Sequence, residues 1–165
     1  MGNDLRELAA ACGQLSTDTE GRLDATLVSR YYRGRAEASG FVVADRAIEG
    51  KLGEALEGLR WALAIGTAPV LVASALGQGL RALAKVGSAP RGLRGADLAR
   101  EVGLPPWKVD RVRAQLRGWS PDGVSTAIRA VAEADAQLKG GGTDASYALE
   151  KAVMAVIEAR NAAAA

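Results

Sequence analysis

Residues Leu98 to Arg117 hold the densest set of side chains able to do chemistry, and that chemistry would be contact with nucleic acid. Leu98-Ala99, Gly103 and Val109 stand where a DNA-binding helix-turn-helix needs small, turn and core residues. A small side chain lets two helices approach, a glycine permits the tight turn, and an apolar residue returns the chain to the core. Lys108, Arg111, Arg113 and Arg117 follow on the would-be recognition helix. Trp107, beside Lys108 in the turn, is a candidate base-stacking platform. Against this, Pro105-Pro106 and Trp107 open that helix and leave few small polar side chains for reading base edges. An ordinary helical hairpin with a solvated basic face fits the same residues, and the local pattern leaves both readings open.

Asp135 is the second residue of interest. It lies seven residues after Ile128 and three before Leu138, so it points toward an apolar stripe and its carboxylate needs a partner. Lys139, one turn further on, pairs with it as a structural polar pair, and a neighbouring helix is the other source of a partner.

Catalytic chemistry finds no foothold. The chain has no histidine, which removes the usual general base and the commonest metal ligand together. No glycine-rich loop ends in Gly-Lys-Ser/Thr, and no serine sits in a nucleophile-elbow pattern. Gly140-Gly141-Gly142 reads as a helix stop, with anion binding as the alternative. Glu54 and Glu57 fall on the outer face of an amphipathic helix as solvated charge. The expectation is no catalytic residue, no metal, no cofactor and no enzyme activity of its own.

The elements that position these residues are helices. Leu52, Leu56, Leu59 and Leu63 recur at three- and four-residue steps, as do Val72, Leu76, Leu80 and Leu83 after Pro69. Leu98 and Val102 begin a short helix, and Val109, Val112, Leu116 and Trp119 line the next, which opens on Pro105-Pro106. Ser120-Pro121 caps and starts another, striped by Val124, Ile128, Val131 and Leu138. Thr143-Asp144 offers a cap for the last, whose apolar face is Leu149, Val153, Val156 and Ile157. Phe41-Val42-Val43 is too short to build a sheet, so the fold class is all-α, a helical bundle. Near the N-terminus, Leu5, Leu8, Cys12 and Leu15 make one short helix and Leu23 to Tyr32 another, with Arg33 to Gly40 a polar link. Two short helices cannot bury both faces alone, so they read as the end of a neighbouring domain.

At 165 residues and 48% hydrophobic, the chain is large enough for one domain with a buried core. A net charge of +2 exerts no strong overall pull on nucleic acid. Cys12 is the sole cysteine, so no internal disulfide is available and a reducing compartment fits. Residues 1–13 lack the basic and apolar regions of a signal peptide. Trp61 to Leu80 carries no charge and is long enough to span a bilayer, but Gly66-Thr67-Ala68-Pro69 interrupts it. Two helices meeting at a turn explain it better than a membrane span.

Nearly the whole chain resembles the delta subunit of the bacterial DNA polymerase III clamp loader. LRELAAACGQL is similar to the last helices of that family's lid domain. The segment after Tyr31-Tyr32, GFVVADRAIEGKLGEALEGLRWALAIGTAPVLVASALGQGLRALAKV, resembles the opening of its collar domain. LAREVGLPPWKVDRVRAQLRGWS and AEADAQLKGGGTDASYALEKAVM follow in family-like order, with Asp135-x-x-x-Lys139 and Leu149-Glu150 among the matching features. Pro-Pro-Trp-Lys-Val looks actinobacterial.

The resemblance implies an incomplete lid end over residues 1–39, a helical collar or oligomerisation domain over 40–161, and a frayed tail over 162–165. It implies a scaffold in a complex that loads the sliding clamp onto primed DNA. The partners would be the ATPase (gamma/tau) subunits and delta-prime, met through the collar. The sliding clamp would be met only through an AAA+-like N-terminal domain that this chain lacks. The holoenzyme as a whole is a DNA-directed DNA polymerase. The implied location is cytoplasmic, at the nucleoid, without a membrane. Because a collar sits over primer-template DNA, Trp107, Lys108, Arg111 and Lys139 are the candidate DNA-proximal residues. The alternative function is a sequence-specific regulator that reads DNA with residues 98–117.

Overall fold

The computed structural model describes residues 39–90, 92–140 and 144–162, with positions 9, 10, 12–14 and 17 near the N-terminus. Those N-terminal positions are helical, and the rest of the expected lid-end helices, Leu23 to Tyr32 included, lies outside the described residues. Among the described residues the regular structure is helical throughout, with no strand.

Seven helices make the body: α1 (residues 39–48), α2 (Leu52–Ala64), α3 (Pro69–Ser88), α4 (Gly95–Val102), α5 (Pro106–Leu116), α6 (Pro121–Gly140) and α7 (Ala145–Asn161). Phe41-Val42-Val43 belongs to α1. Ser39 and Gly40, read from sequence as part of a polar link, are helical and buried, because the Ser39 and Thr67 hydroxyls pair at 2.9 Å inside the fold. A small polar residue satisfied in this way needs no apolar stripe to be buried.

The uncharged run from Trp61 to Leu80 divides as the proline dictates. α2 stops at Ala64, and Ala68 is extended ahead of Pro69, the first residue of α3. No helix among the described residues is long and apolar enough to cross a membrane. Gly103 ends α4 at φ 67°, a left-handed conformation that costs other residues, and so turns the chain into α5. Ser120 Oγ accepts from Gly123 N at 3.0 Å to start α6. Asp144 Oδ1 accepts from Ser146 N and Tyr147 N at 2.9 and 3.3 Å to start α7.

α3 is the central helix. It packs on α6, α7 and α5, while α6 pairs with α7 and α2 rests on α7. Leu76, Leu80 and Leu83 of α3 are wholly buried, as are Leu59 of α2 and Leu149, Val153 and Val156 of α7. Each such side chain contributes about 1.5–3 kcal/mol of apolar burial. α4 and α5 pack on one another and attach to α3, so the 98–117 hairpin is part of the bundle and not a free reading head. Leu98, Ala99, Val102, Val109 and Val112, its small and core residues, are all buried, while Gly103 at the turn is exposed.

Candidate interaction surface

α5 organises the surface that carries most of the residues singled out from sequence. Its proline start leaves Trp107 and Lys108 at the open end, while Val109 and Val112 face inward and fix the helix against α3. Trp107, Lys108 and Arg111 line a groove of about 230 Å³ between α5, α1 and α3, floored by Ala75, Gly79 and Ala82. Trp107 is 68% exposed, and Phe41 of α1, also exposed, lines the same groove. Exposed aromatic rings flanking an apolar floor are the composition of a contact site for another molecule.

The charges around the groove are ordered. Arg111 Nη2 lies 2.7 Å from Asp45 Oδ2, and Gln115 Nε2 donates to Asp45 Oδ1 at 3.2 Å. Arg111 is therefore matched by a carboxylate on α1, whereas Lys108 makes no ion pair with any described residue. Next to Asp45 on the same helix end, Glu49 holds Arg46 at 3.3 Å and Lys51 at 3.0 Å. Partial burial pushes the Glu49 carboxyl up, but the hydrogen bond and charge of Lys51, with Gln115 and Arg46, outweigh it. The net effect holds Glu49 below its ordinary value of 4.5.

Lys139 does not join this group. Its Nζ bonds Asp135 Oδ2 at 2.5 Å, and both residues line a different groove, between α3 and α6. Gly79 and Ala82 of α3 face the α5 groove, whereas Ala73, Gly77 and Arg81 face the α6 groove. At 100° per residue the two sets lie about 170° apart around α3. The structure thus brings Trp107, Lys108 and Arg111 together and leaves Lys139 on the opposite flank.

Sequence reasoning missed Phe41, Asp45 and Gln115. Asp45 and Gln115 lie 70 residues apart in the chain, and no local spacing marks them as partners. One available signal was passed over. Residues 81–117 hold nine Lys/Arg against three Asp/Glu, so a local charge of +6 is hidden within a chain total of +2. Arg81 and Lys85 stand on α3, while seven of the nine cations belong to α4, α5 and the segments that flank them, a local excess of +4. It gives one side of the bundle a positive potential that the total conceals. No group of three or more His, Cys, Asp or Glu among the described residues could hold a metal ion.

Comparison with known proteins agrees with this helical body. The family described as DNA polymerase III delta subunit, C-terminal domain, matches residues 37–156, which takes in all of α1 to α6 and most of α7. The solved Bacillus subtilis DNA clamp loader delta protein (YqeN) superposes with a TM-score of 0.65 at 19% identity. That match covers 74% of this chain and 37% of the Bacillus chain, and it speaks for the fold alone. No curated protein is detectably similar to the chain. Nothing in these matches speaks for a sequence-reading regulator. On the strength of the match across the bundle, the chain belongs to the family of the DNA polymerase III delta subunit, through its C-terminal domain.

Proposed function

We propose that this chain is an assembly module, the helical collar part that holds a delta subunit in the clamp loader of DNA polymerase III. The observation that carries the proposal is the family match over residues 37–156, which spans α1 to α6 and most of α7. A rigid bundle with exposed apolar residues such as Trp61, Trp107 and Tyr147 suits a role as scaffold. Its partners are the ATPase (gamma/tau) subunits and delta-prime, in the cytoplasm, and the division at residues 39/40 between lid end and collar goes with this reading. The test is co-assembly. Mixed with the ATPase and delta-prime subunits, the chain should elute as one complex in size-exclusion chromatography with light scattering. Separate elution at micromolar concentration would end the proposal.

A second role, contact with primer-template DNA, is favoured by the positive charge over residues 81–117 and the exposed Trp107 beside Lys108. Trp107 would stack on an unpaired base while Lys108 and Arg111 meet phosphates. Lys139, on the other flank of α3, drops out of that contact. Binding of a primed oligonucleotide at two salt concentrations tests it. Affinity should fall steeply with salt and fall again in Trp107→Ala. A salt-independent affinity, or one unchanged by Trp107→Ala, would count against DNA contact here.

A further inference from the structure

We infer that the groove between α3 and α6 seats a helix of a neighbouring clamp-loader subunit, one that lays small side chains on the groove floor and directs a carboxylate at Arg81. The inference rests on the assembly reading above and names the face by which assembly occurs. The groove encloses about 350 Å³ and runs between two helices of 20 residues each. Ala73 and Gly77 form a floor already buried within the bundle, and Ala132, exposed beside it, stands out little from its helix axis, so another helix can lie close along α6. Val70 and Ile128 add apolar surface, and Val70 is left exposed by the fold.

The charges select the occupant. Arg81 folds back along its own helix until its guanidinium lies over Gly77, inside the groove, and it forms no ion pair with any described residue. Lys139 already holds Asp135 at 2.5 Å. The polar part of the groove therefore carries two cations and one carboxylate, an imbalance that an incoming Asp or Glu corrects. A guanidinium receives a carboxylate through two parallel hydrogen bonds, which adds direction to the attraction. A phosphate backbone fits less well, because Asp135 would repel it and most of the local positive charge lies on the α4–α5 side.

The experiment measures assembly of this chain with the ATPase and delta-prime subunits for two variants. Ala132→Arg fills the groove from an exposed position of α6, and Arg81→Glu reverses the selecting charge. Glu57→Ala, on the exposed face of α2, is the control. Each groove variant should weaken assembly by about tenfold or more, as expected for a buried interface position, with helix content and melting unchanged. The control should assemble as the unmodified chain does. If Ala132→Arg fails to fold, Arg81→Glu alone decides. Normal assembly by the groove variants would overturn this face and leave the scaffold role standing. Loss of self-association with partner binding intact would mean a second copy occupies the groove, and would also overturn it. Failure of the unmodified chain to assemble would remove the scaffold role and this inference together.

Discussion

Asp45 and Arg111 join α1 to α5 through a contact of 2.7 Å between Oδ2 and Nη2, and the second Asp45 oxygen takes Gln115 one turn further along α5. A single carboxylate thereby gathers two side chains of one helix, so it fixes the rotation of α5 as well as its position. The contact also sets what Arg111 offers to any ligand. A guanidinium already matched by a carboxylate attracts phosphate far less than the unmatched ammonium of Lys108 beside it.

Asp45→Ala should separate these two effects. Arg111 is half exposed, so its pair is screened, and the loss of stability should be about 0.5–1 kcal/mol. In the same variant Arg111 gains freedom and the surface gains one net positive charge. Affinity for a primed oligonucleotide should rise, most visibly at low salt. A urea melt and a binding titration on one preparation check both directions.

Trp119 gives a larger effect. Its ring is buried, and its indole Nε1 donates to the Ile48 carbonyl at 3.0 Å, tying the α5–α6 connection to the end of α1. Trp119→Phe keeps most of the ring but leaves that carbonyl without its donor in a dry site. The expected cost is about 1–3 kcal/mol, and Trp119→Ala should cost about 3–5 kcal/mol because a cavity is added. Urea midpoints measured at constant m distinguish the two.

The bundle itself was legible from spacing. The stripe through Val72–Leu83 and the caps at Ser120 and Asp144 are reproduced, because periodicity and capping are local properties, whereas of the Leu52–Leu63 stripe Leu59 alone is wholly buried and Leu52, in the first turn, is exposed. The break at Pro69 was legible for the same reason. Ser39 was not, since its burial depends on a hydroxyl 28 residues away in Thr67. The groove beside Trp107 was half legible. Trp107, Lys108 and Arg111 are neighbours in sequence, but Phe41 and Asp45 reach them only through the packing of α1 on the bundle. Lys139 could not be sorted from the other three without knowing which flank of α3 its helix covers.

Gly123 tests the packing of α6 on α7 by the sign of one measurement. A Cβ at this position would lie 2.6 Å from the Ala159 carbonyl oxygen, which is backbone and cannot swing aside. In an open helix, glycine to alanine gains about 1 kcal/mol from propensity. Here the overlap should reverse that gain and leave Gly123→Ala destabilised by about 1–3 kcal/mol. A stabilised variant would show that the two helices are further apart than the structure has them.

Glu49 makes stability depend on pH. Its carboxyl is held below the ordinary 4.5 because Lys51, Gln115 and Arg46 together outweigh the partial burial that opposes ionisation. Between the folded value and 4.5 the unfolded chain binds more protons than the folded one, so stability rises with pH through that window. The contribution is complete above 4.5 and is lost as pH falls through the folded value. Glu49→Gln removes it: the variant should melt lower than the unmodified chain at neutral pH, and the two should converge in acid. Its two cationic partners are partly exposed, so added salt should shrink the neutral-pH difference by screening them. Melting curves across the acid range, at low and high salt, check the sign and the screening together. A gap that persisted unchanged into acid would mean that Glu49 acts through its shape and hydrogen bonds rather than its charge.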